Sequence, residues 1–491
     1  MCAIRLLDLV KAVSPIMPEI NFPVEKVILD EKVVYTIASG LVFVLAQLPL
    51  FGLVKDAPLQ MADPFSTLRP LFAMEQGSLL ELGLLPILTL AFVWQIAAGA
   101  KAIKVDFRYG SDRELFQTAQ KATAVLFSAV FAAALILLGY YDPVVRGAAN
   151  EGNFYGTYAL LFTQLFGWNV VLTLIVEVID KGYGFGSGVL CFLALNAATG
   201  LVRDVVGLEV VSATPNGVPQ TYGVVSYFGR SLLTMDLGEI KSAAIGLFLR
   251  AGFPTLALVV LAVATGLVVI VLQNFRLELP IRSNRARGMA NVFPIRLLYT
   301  GALPVVFAYT AVANVQVVLH FLLLAVAPFY PFVARLIESR DVAGNVVSGL
   351  RLYFTAPASL SASLLSPIRA VVYSTTLLTL ASAFAVFWAD ISGSAPKDIA
   401  KQFKDQAIVI SGKRDVSVTR ELSRTIPVAA VSGAASLVVV SLIGELLGSA
   451  GKTVSVAVGV SAAFAVLEDF MTELQQSGGS SQLMGAMPGM K

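Results

Sequence analysis

Gly252-Phe253-Pro254-Thr255-Leu256-Ala257-Leu258-Val259-Val260-Leu261-Ala262-Val263-Ala264-Thr265-Gly266-Leu267-Val268-Val269-Ile270-Val271-Leu272-Gln273-Asn274-Phe275 is a run without a charged side chain. A helix rises 1.5 Å per residue, so about 20 such residues cross the ~30 Å hydrocarbon layer of a bilayer. Lipid offers no partner to a bare peptide group, so only helices and closed barrels span it. The short alternating segments of a barrel do not occur in this stretch or in its counterparts.

Those counterparts extend the reading to the whole chain. Of 491 residues, 57% are hydrophobic and only 14% charged, against about 25% charged in a soluble domain. Ten segments have the composition of a span: 33–53, 78–100, 114–139, 155–178, 187–203, 252–275, 301–326, 368–389, 425–446 and 453–470. Several are rich in Ala, Gly, Ser and Thr, which lets helix backbones approach closely in lipid. The expected fold is therefore an all-α membrane protein of ten transmembrane helices. The first 32 residues lack the basic start and apolar core of a cleavable signal peptide, so the first span is expected to act as its own targeting signal.

The longest gap between spans, at about 204–251, separates five from five. An odd number per half gives two pseudo-symmetric halves of inverted orientation, a plan common in transporters and channels. The expected division is 1–203 for the N-terminal half, 204–251 for a connecting loop, 252–470 for the C-terminal half and 471–491 for a tail. Placing the N-terminus in the cytosol puts 23 of the 35 Lys and Arg residues on the cytosolic side, as the positive-inside bias requires. The loop 204–251 is then lumenal, both termini are cytosolic, and the densest basic stretches, Arg276–Arg296 and Lys397–Arg424, face the cytosol.

Chemistry-bearing residues are sparse inside the spans. Glu81, Glu177, Arg369 and Glu445 lie close to span ends, Lys121 lies near enough to one to snorkel, and His320 reads as a packed or interfacial side chain. No catalytic triad, paired carboxylates or metal cluster is visible, so no enzyme activity, cofactor or metal is expected. The run Gly182-Tyr183-Gly184-Phe185-Gly186-Ser187-Gly188 follows a span rather than a strand and lacks the Lys-Ser/Thr ending of a phosphate loop; it reads as a tight turn. Cys2 and Cys191 have no ligand spacing. Segment 63–76 is too short to span, with Asp63 a plausible N-cap and Pro64 in a first helical turn. These residues alone leave a channel, a scaffold or an uncoupled transporter.

A set of motifs in fixed order narrows this. Arg5-Leu6-Leu7-Asp8-Leu9-Val10-Lys11 precedes Met17-Pro18-Glu19, Gln47-Leu48-Pro49-Leu50-Phe51-Gly52, Leu79-Leu80-Glu81-Leu82-Gly83, Asp112-Arg113-Glu114-Leu115-Phe116-Gln117 and the glycine-rich turn. Glu278-Leu279-Pro280-Ile281-Arg282-Ser283 follows, then Ser392-Gly393-Ser394-Ala395-Pro396-Lys397-Asp398-Ile399-Ala400 and Gly412-Lys413-Arg414. From end to end the chain resembles the SecY and eukaryotic Sec translocon α-subunit family. Its tail Gln475-Gln476-Ser477-Gly478-Gly479 resembles the fungal "Sec sixty-one homologue" branch.

The resemblance implies a SecY-like pore-forming α subunit in the endoplasmic reticulum membrane. Nascent polypeptides would pass through it, or laterally into lipid, during translation. A short plug helix would include Asp63, Pro64, Leu68, Arg69, Leu71 and Phe72. Leu84, Leu88, Val189, Leu193, Val306 and Val458 would form an apolar pore ring. Thr89 and Asn314 would be the polar pair of a lateral gate between spans two and three on one side and seven and eight on the other. Arg282, Arg285, Arg287, Lys413 and Arg414 would bind ribosomal RNA from the loops between spans six and seven and spans eight and nine. The implied partners are a single-span γ subunit, a β subunit, the ribosome, signal peptides, nascent chains and lipid. Two positions depart from the family pattern: Phe131 replaces a glutamine and Ala362 an acidic residue. A secondary transporter with inverted repeats is the alternative; it would need a charged or polar site at the membrane midplane.

Overall fold

The computed structural model describes residues 10–476 except 12–14, 16, 54–62, 104, 106–109, 143–144, 146–153, 212–219, 234–242, 249, 251–252, 284–289, 341–345, 358, 393, 406–407 and 411–414. Each of the ten expected spans contains a helix. They are α1 Leu29–Leu45, α2 Leu85–Gly99, α3 Gly110–Leu137, α4 Phe154–Val178, α5 Gly188–Val206, α6 Leu256–Asn274, α7 Leu303–Val326, α8 Pro367–Ile391, α9 Asp415–Leu446 and α10 Lys452–Gln476. Among the described residues eight are long and apolar enough to cross a membrane by themselves; α2 is shorter, with 15 residues, and α1 has 17.

Local chemistry sets the helix starts. Pro86, Pro304 and Pro367 stand in the first turns of α2, α7 and α8, where proline's missing N–H costs nothing. The Thr255 hydroxyl caps α6 by accepting from the Leu258 N–H at 3.4 Å. Between α4 and α5 the glycine-rich run forms the expected tight turn. It begins as a single π-helical turn, Ile179–Tyr183, and the Asp180 carboxylate accepts from Gly188 N at 2.7 Å.

Two of the boundaries that differ from the sequence expectation frame the expected plug segment, 63–76. The chain leaves α1 after Leu45, and Pro49 pairs with Ser78 in antiparallel fashion. Leu50 N donates to Gly77 O at 2.8 Å and Leu79 N to Leu48 O at 3.0 Å. Residues 78–84 are therefore turns rather than the first two turns of a helix, despite Leu79, Leu80 and Leu82. At Gly83 (φ +53°) a Cβ would lie 2.5 Å from Phe72 O. Only glycine lets the two strands of this loop touch there.

One apolar core runs through the membrane region, joining Phe43 and Phe192 near α1 and α5 to Val306, Leu377, Leu437 and Val458 on α7–α10. Helix α10 packs on α5 and α6, α8 on α7 and α9, and α2 on α3, α7 and α8.

Beside the helices lies an antiparallel sheet that the all-α reading did not anticipate. Strands β1 Arg276–Ser283 and β2 Ala290–Arg296 form a hairpin, and β3 Ile408–Ile410, from a different loop, adds to the β1 edge with Ile281 opposite Ile410. The amphipathic helix Pro396–Asp405 buries Ile399 and Phe403 against Ile295 and against Val418, Leu422 and Ile426 of α9. These α9 residues recur every fourth position, so the helix starts ten residues before its apolar span and passes into this satellite core.

Candidate functional site

The six expected ring positions share one apolar neighbourhood within the membrane region. Leu84, Leu88, Leu193, Val306 and Val458 are buried in one apolar cluster, and half-buried Val189 packs against it. They come from α2 and the turn before it, from α5, from α7 and from α10. The same cluster contains Phe65, Leu68, Leu71, Phe72, Ala73 and Met74 of the expected plug. The expected ring and plug positions thus belong to the same core that runs through the membrane region.

The plug is mostly turns, with one helical turn at Arg69–Phe72 that ends at Ala73 in the left-handed region. Asp63 does not cap that helix. Its carboxylate accepts from Phe65 N at 3.1 Å and pairs with Arg69 Nε at 2.6 Å. Arg69 also donates to Glu81 at 2.7 Å and to the Tyr140 hydroxyl at 3.0 Å. Burial opposes the Arg69 charge, but Glu81 and Asp63 outweigh it and hold the guanidinium above its ordinary pKa.

Backbone carbonyls of the plug are also occupied. Phe72 O accepts from Leu84 N at 2.9 Å, and Pro70 O from Asn196 Nδ2 of α5 at 2.6 Å. Pro64 O accepts from Arg351 Nη2 at 2.7 Å. Sequence reasoning missed Arg351. It lies in the loop between α7 and α8, and no periodicity points from there to the plug.

The expected gate pair meets. Thr89 Oγ1 of α2 donates to Asn314 Oδ1 of α7 at 3.1 Å. Further along this seam, where α2 packs on α7 and α8, the Phe92 ring of α2 lies 5.9 Å from Phe307 of α7 and 5.1 Å from Phe384 of α8. Phe131, where the family pattern has glutamine, lies at the junction of seam and plug, with ring centroids 5.5 Å from Phe321 and 6.4 Å from Phe65. Ala362, the other departure, sits in the short helix Leu360–Leu365, whose Ser363 bonds to Leu446 O of α9.

Of the five basic residues assigned to RNA contact, Arg282 lies on β1 and is exposed. Arg285, Arg287, Lys413 and Arg414 fall outside the described residues. Arg282 is paired in register with Val409 of β3, so the sheet joins the two basic loops.

The charged residues near span ends are all engaged. Lys121 does not snorkel to water: it pairs with Glu177 and donates to Pro18 O, with its side chain 9% exposed. Glu177 also binds Lys181 at 2.8 Å. Arg369 donates to the carbonyls of Thr355 and Ala356. Glu445 accepts from Tyr373 at 2.9 Å and Tyr309 at 3.2 Å. His320 is buried against Phe65 at 5.3 Å and contacts Arg351. Among the described residues no His, Cys, Asp and Glu group could hold a metal ion.

The expected ring and plug positions lie in one apolar core, and Thr89 of α2 and Asn314 of α7 form the expected polar bond. The SecY family profile matches residues 78–467, and a profile described as the plug domain of Sec61p matches residues 41–77. The chain belongs to the SecY family. It is 37% identical over 496 aligned residues to the Sec sixty-one protein homolog of Saccharomyces cerevisiae, with 98% of each chain covered. It is 35% identical to the protein transport protein SEC61 subunit alpha of Debaryomyces hansenii, covering 96% of this chain and 97% of that one. Among solved structures, an idle yeast Ssh1 complex bound to the yeast 80S ribosome superposes with a TM-score of 0.76 at 35% identity, covering 100% of this SecY-family chain and 99% of that one. A second, described as a protein conducting channel, gives a TM-score of 0.74 at 22% identity over 97% of this chain and 100% of that one; it supports the fold.

Proposed function

We propose that this chain is the pore-forming α subunit of an endoplasmic reticulum protein-conducting channel, which passes nascent polypeptides across the membrane or sideways into lipid while the ribosome translates them. The observation that supports this reading is that the six expected ring side chains and the expected plug pack in the same apolar cluster. A narrow apolar constriction dewets and blocks ions, yet it holds no fixed charge or hydrogen bond that would bind a passing chain. The plug closes the resting pore. A signal peptide opens the seam between α2–α3 and α7–α8 by replacing Thr89–Asn314 and the Phe92 contacts with its own apolar helix.

Energy for movement comes from the ribosome or a partner. Arg282, Arg285, Arg287, Lys413 and Arg414 would meet the phosphate surface of ribosomal RNA, where basic side chains bind through charge and counterion release. The termini and the basic loops then face the cytosol, and residues 1–203 and 252–470 form two halves around the pore. A single-span γ subunit would lie in the apolar groove of about 390 Å³ formed by Val33, Ile37, Cys191, Ala194, Val466 and Phe470 on α1, α5 and α10. A β subunit completes the complex. A transporter would place its charges around a midplane substrate site; buried charges here are instead paired with one another, Lys121 with Glu177, Arg69 with Glu81 and Arg351 with Glu338.

The test is salt-dependent binding of the purified complex to empty ribosomes, comparing wild type with Arg285→Glu, Arg287→Glu and Arg414→Glu. Tight low-salt binding that the reversals abolish supports a co-translational conduit. A wild-type complex that does not bind at low salt removes the ribosome from the mechanism.

A further inference from the structure

Arg351 and Glu338 belong to a loop that no motif singled out. Both are buried, with side chains 7% and 1% exposed, and they form an ion pair at 2.5 Å. The loop is built to bring them together. Ser339 pairs with Ser348 and Arg340 with Val346 in a small antiparallel ladder, so the residues flanking it, Glu338 and Gly349, lie side by side. Gly349 has φ +128°, and a Cβ there would sit 2.4 Å from Ile337 O and 2.8 Å from Glu338 Cα. No other residue permits that crossing, and the helical turn Leu350–Tyr353 then sets Arg351 over Glu338.

The guanidinium is planar and forked, so it can hold two acceptors in fixed directions. One nitrogen, Nη1, binds Glu338 and contacts His320 Nδ1 at 3.3 Å. The other, Nη2, leaves the cluster and donates to Pro64 O of the plug at 2.7 Å. His320 lies edge-on to Phe65, the next plug residue, at 5.3 Å. The other hydrogen-bond partners named above for the plug side chains and carbonyls, Glu81, Tyr140 and Asn196, come from the α1–α5 part of the chain, and the turn Arg69–Phe72 also packs on α10.

We infer that Arg351 is a positioning residue that latches the plug from the α7–α8 side of the seam, so that the plug bridges both sides and its release is coupled to parting of the seam. Asp63–Phe72 is bound on one side through Arg69 and Asn196 and on the other through Arg351. Moving α7 and α8 away from α2 and α3 carries the α7–α8 loop with it and removes Arg351 from Pro64 O. Conversely, while the plug is seated it adds a charge-assisted bond across the seam to the neutral Thr89–Asn314 bond. Glu338 holds the guanidinium in the orientation that keeps Nη2 on the plug.

This inference rests on the reading of residues 63–72 as the plug. The test uses the assembled complex in sealed microsomes, with Leu71→Cys as reporter. Leu71 is 3% exposed, so its labelling by a lumenal, membrane-impermeant maleimide measures plug release. In the otherwise wild-type channel, a strong signal sequence stalled in the pore should raise labelling; no rise would sink the plug reading itself. Arg351→Lys is then compared. Lysine retains the charge for Glu338 but has no second fork arm for Pro64 O, so a purely structural Arg351 predicts wild-type behaviour. The latch predicts resting labelling raised threefold or more, with a reporter carrying a shortened apolar signal core translocated several-fold better and a strong-signal reporter unchanged. Arg351→Met should give the same ratio of weak to strong signal, read on the fraction of complex that assembles. A rise on signal engagement in the parent channel, with wild-type resting labelling and wild-type signal ratio in Arg351→Lys, would overturn the latch while leaving the plug intact.

Discussion

The plug and the seam are closed by opposite means. The plug is held by buried charge: Arg69 binds Asp63, Glu81 and Tyr140, and Pro64 O receives a guanidinium. Among the described residues the seam is closed by a hydroxyl–amide bond, Thr89 to Asn314, and by aromatic rings around Phe92. Hydrogen bonds to charged groups are stronger and more directional than neutral ones, and aromatic contacts slide. A pore that must not leak at rest gains from the first kind of closure. A slot that must admit many different apolar helices gains from the second, because lipid-like side chains can replace it at little cost.

The contrast breaks most severely at Glu81. Removing one partner of a buried ion pair costs about 3–5 kcal/mol, whereas removing both costs much less. Glu81→Ala should therefore lower the thermal stability of the extracted complex sharply and expose the plug, and Arg69→Met with Glu81→Gln should recover most of the loss. A melting curve for Glu81→Ala no lower than that of a seam variant would mean that charge does not hold the plug.

Phe131 touches both regions, so Phe131→Gln tests whether they are separate. The amide replaces edge contacts to Phe65 and Phe321, and burying it without a full set of partners costs about 1–3 kcal/mol. Both Leu71→Cys labelling and weak-signal translocation should rise. A change in only one of them would show that plug and seam move independently at this point. Thr89→Val should act on the seam alone. A polar pair in lipid is worth on the order of 1 kcal/mol, and that shifts an equilibrium about fivefold. Weak-signal translocation should rise by about that factor with resting labelling unchanged. Ala362→Glu, in the short helix Leu360–Leu365 whose Ser363 bonds to Leu446 O of α9, should leave both assays within error of wild type.

The membrane helices were legible where the chain repeats one chemistry for a full bilayer width, as in Leu256–Asn274. They were misread where apolar residues serve a loop. Leu79, Leu80 and Leu82 resemble a span, but Gly77, Gly83 and the Glu81 carboxylate turn the backbone around the plug instead. The early start of α9 was legible in principle from Val418, Leu422 and Ile426, although Arg420 and Arg424 mask it in a hydropathy window. Thr89 and Asn314, 225 positions apart, were paired only through family resemblance. Arg351 was not legible at all, since its role depends on a glycine crossing and on a backbone carbonyl, and a carbonyl leaves no trace in the residue alphabet.

The three-stranded sheet has a mechanical meaning as well. Strands β1 and β2 are continuous with α6 and lead into α7, and β3 lies between α8 and α9. A pull on Arg282 is shared across the ladder with Val409, so it reaches four helices together and none of α1–α5 directly. The sheet ties the loop between α6 and α7 to the loop between α8 and α9, so a force borne by either loop is divided among the four helices that enter and leave them.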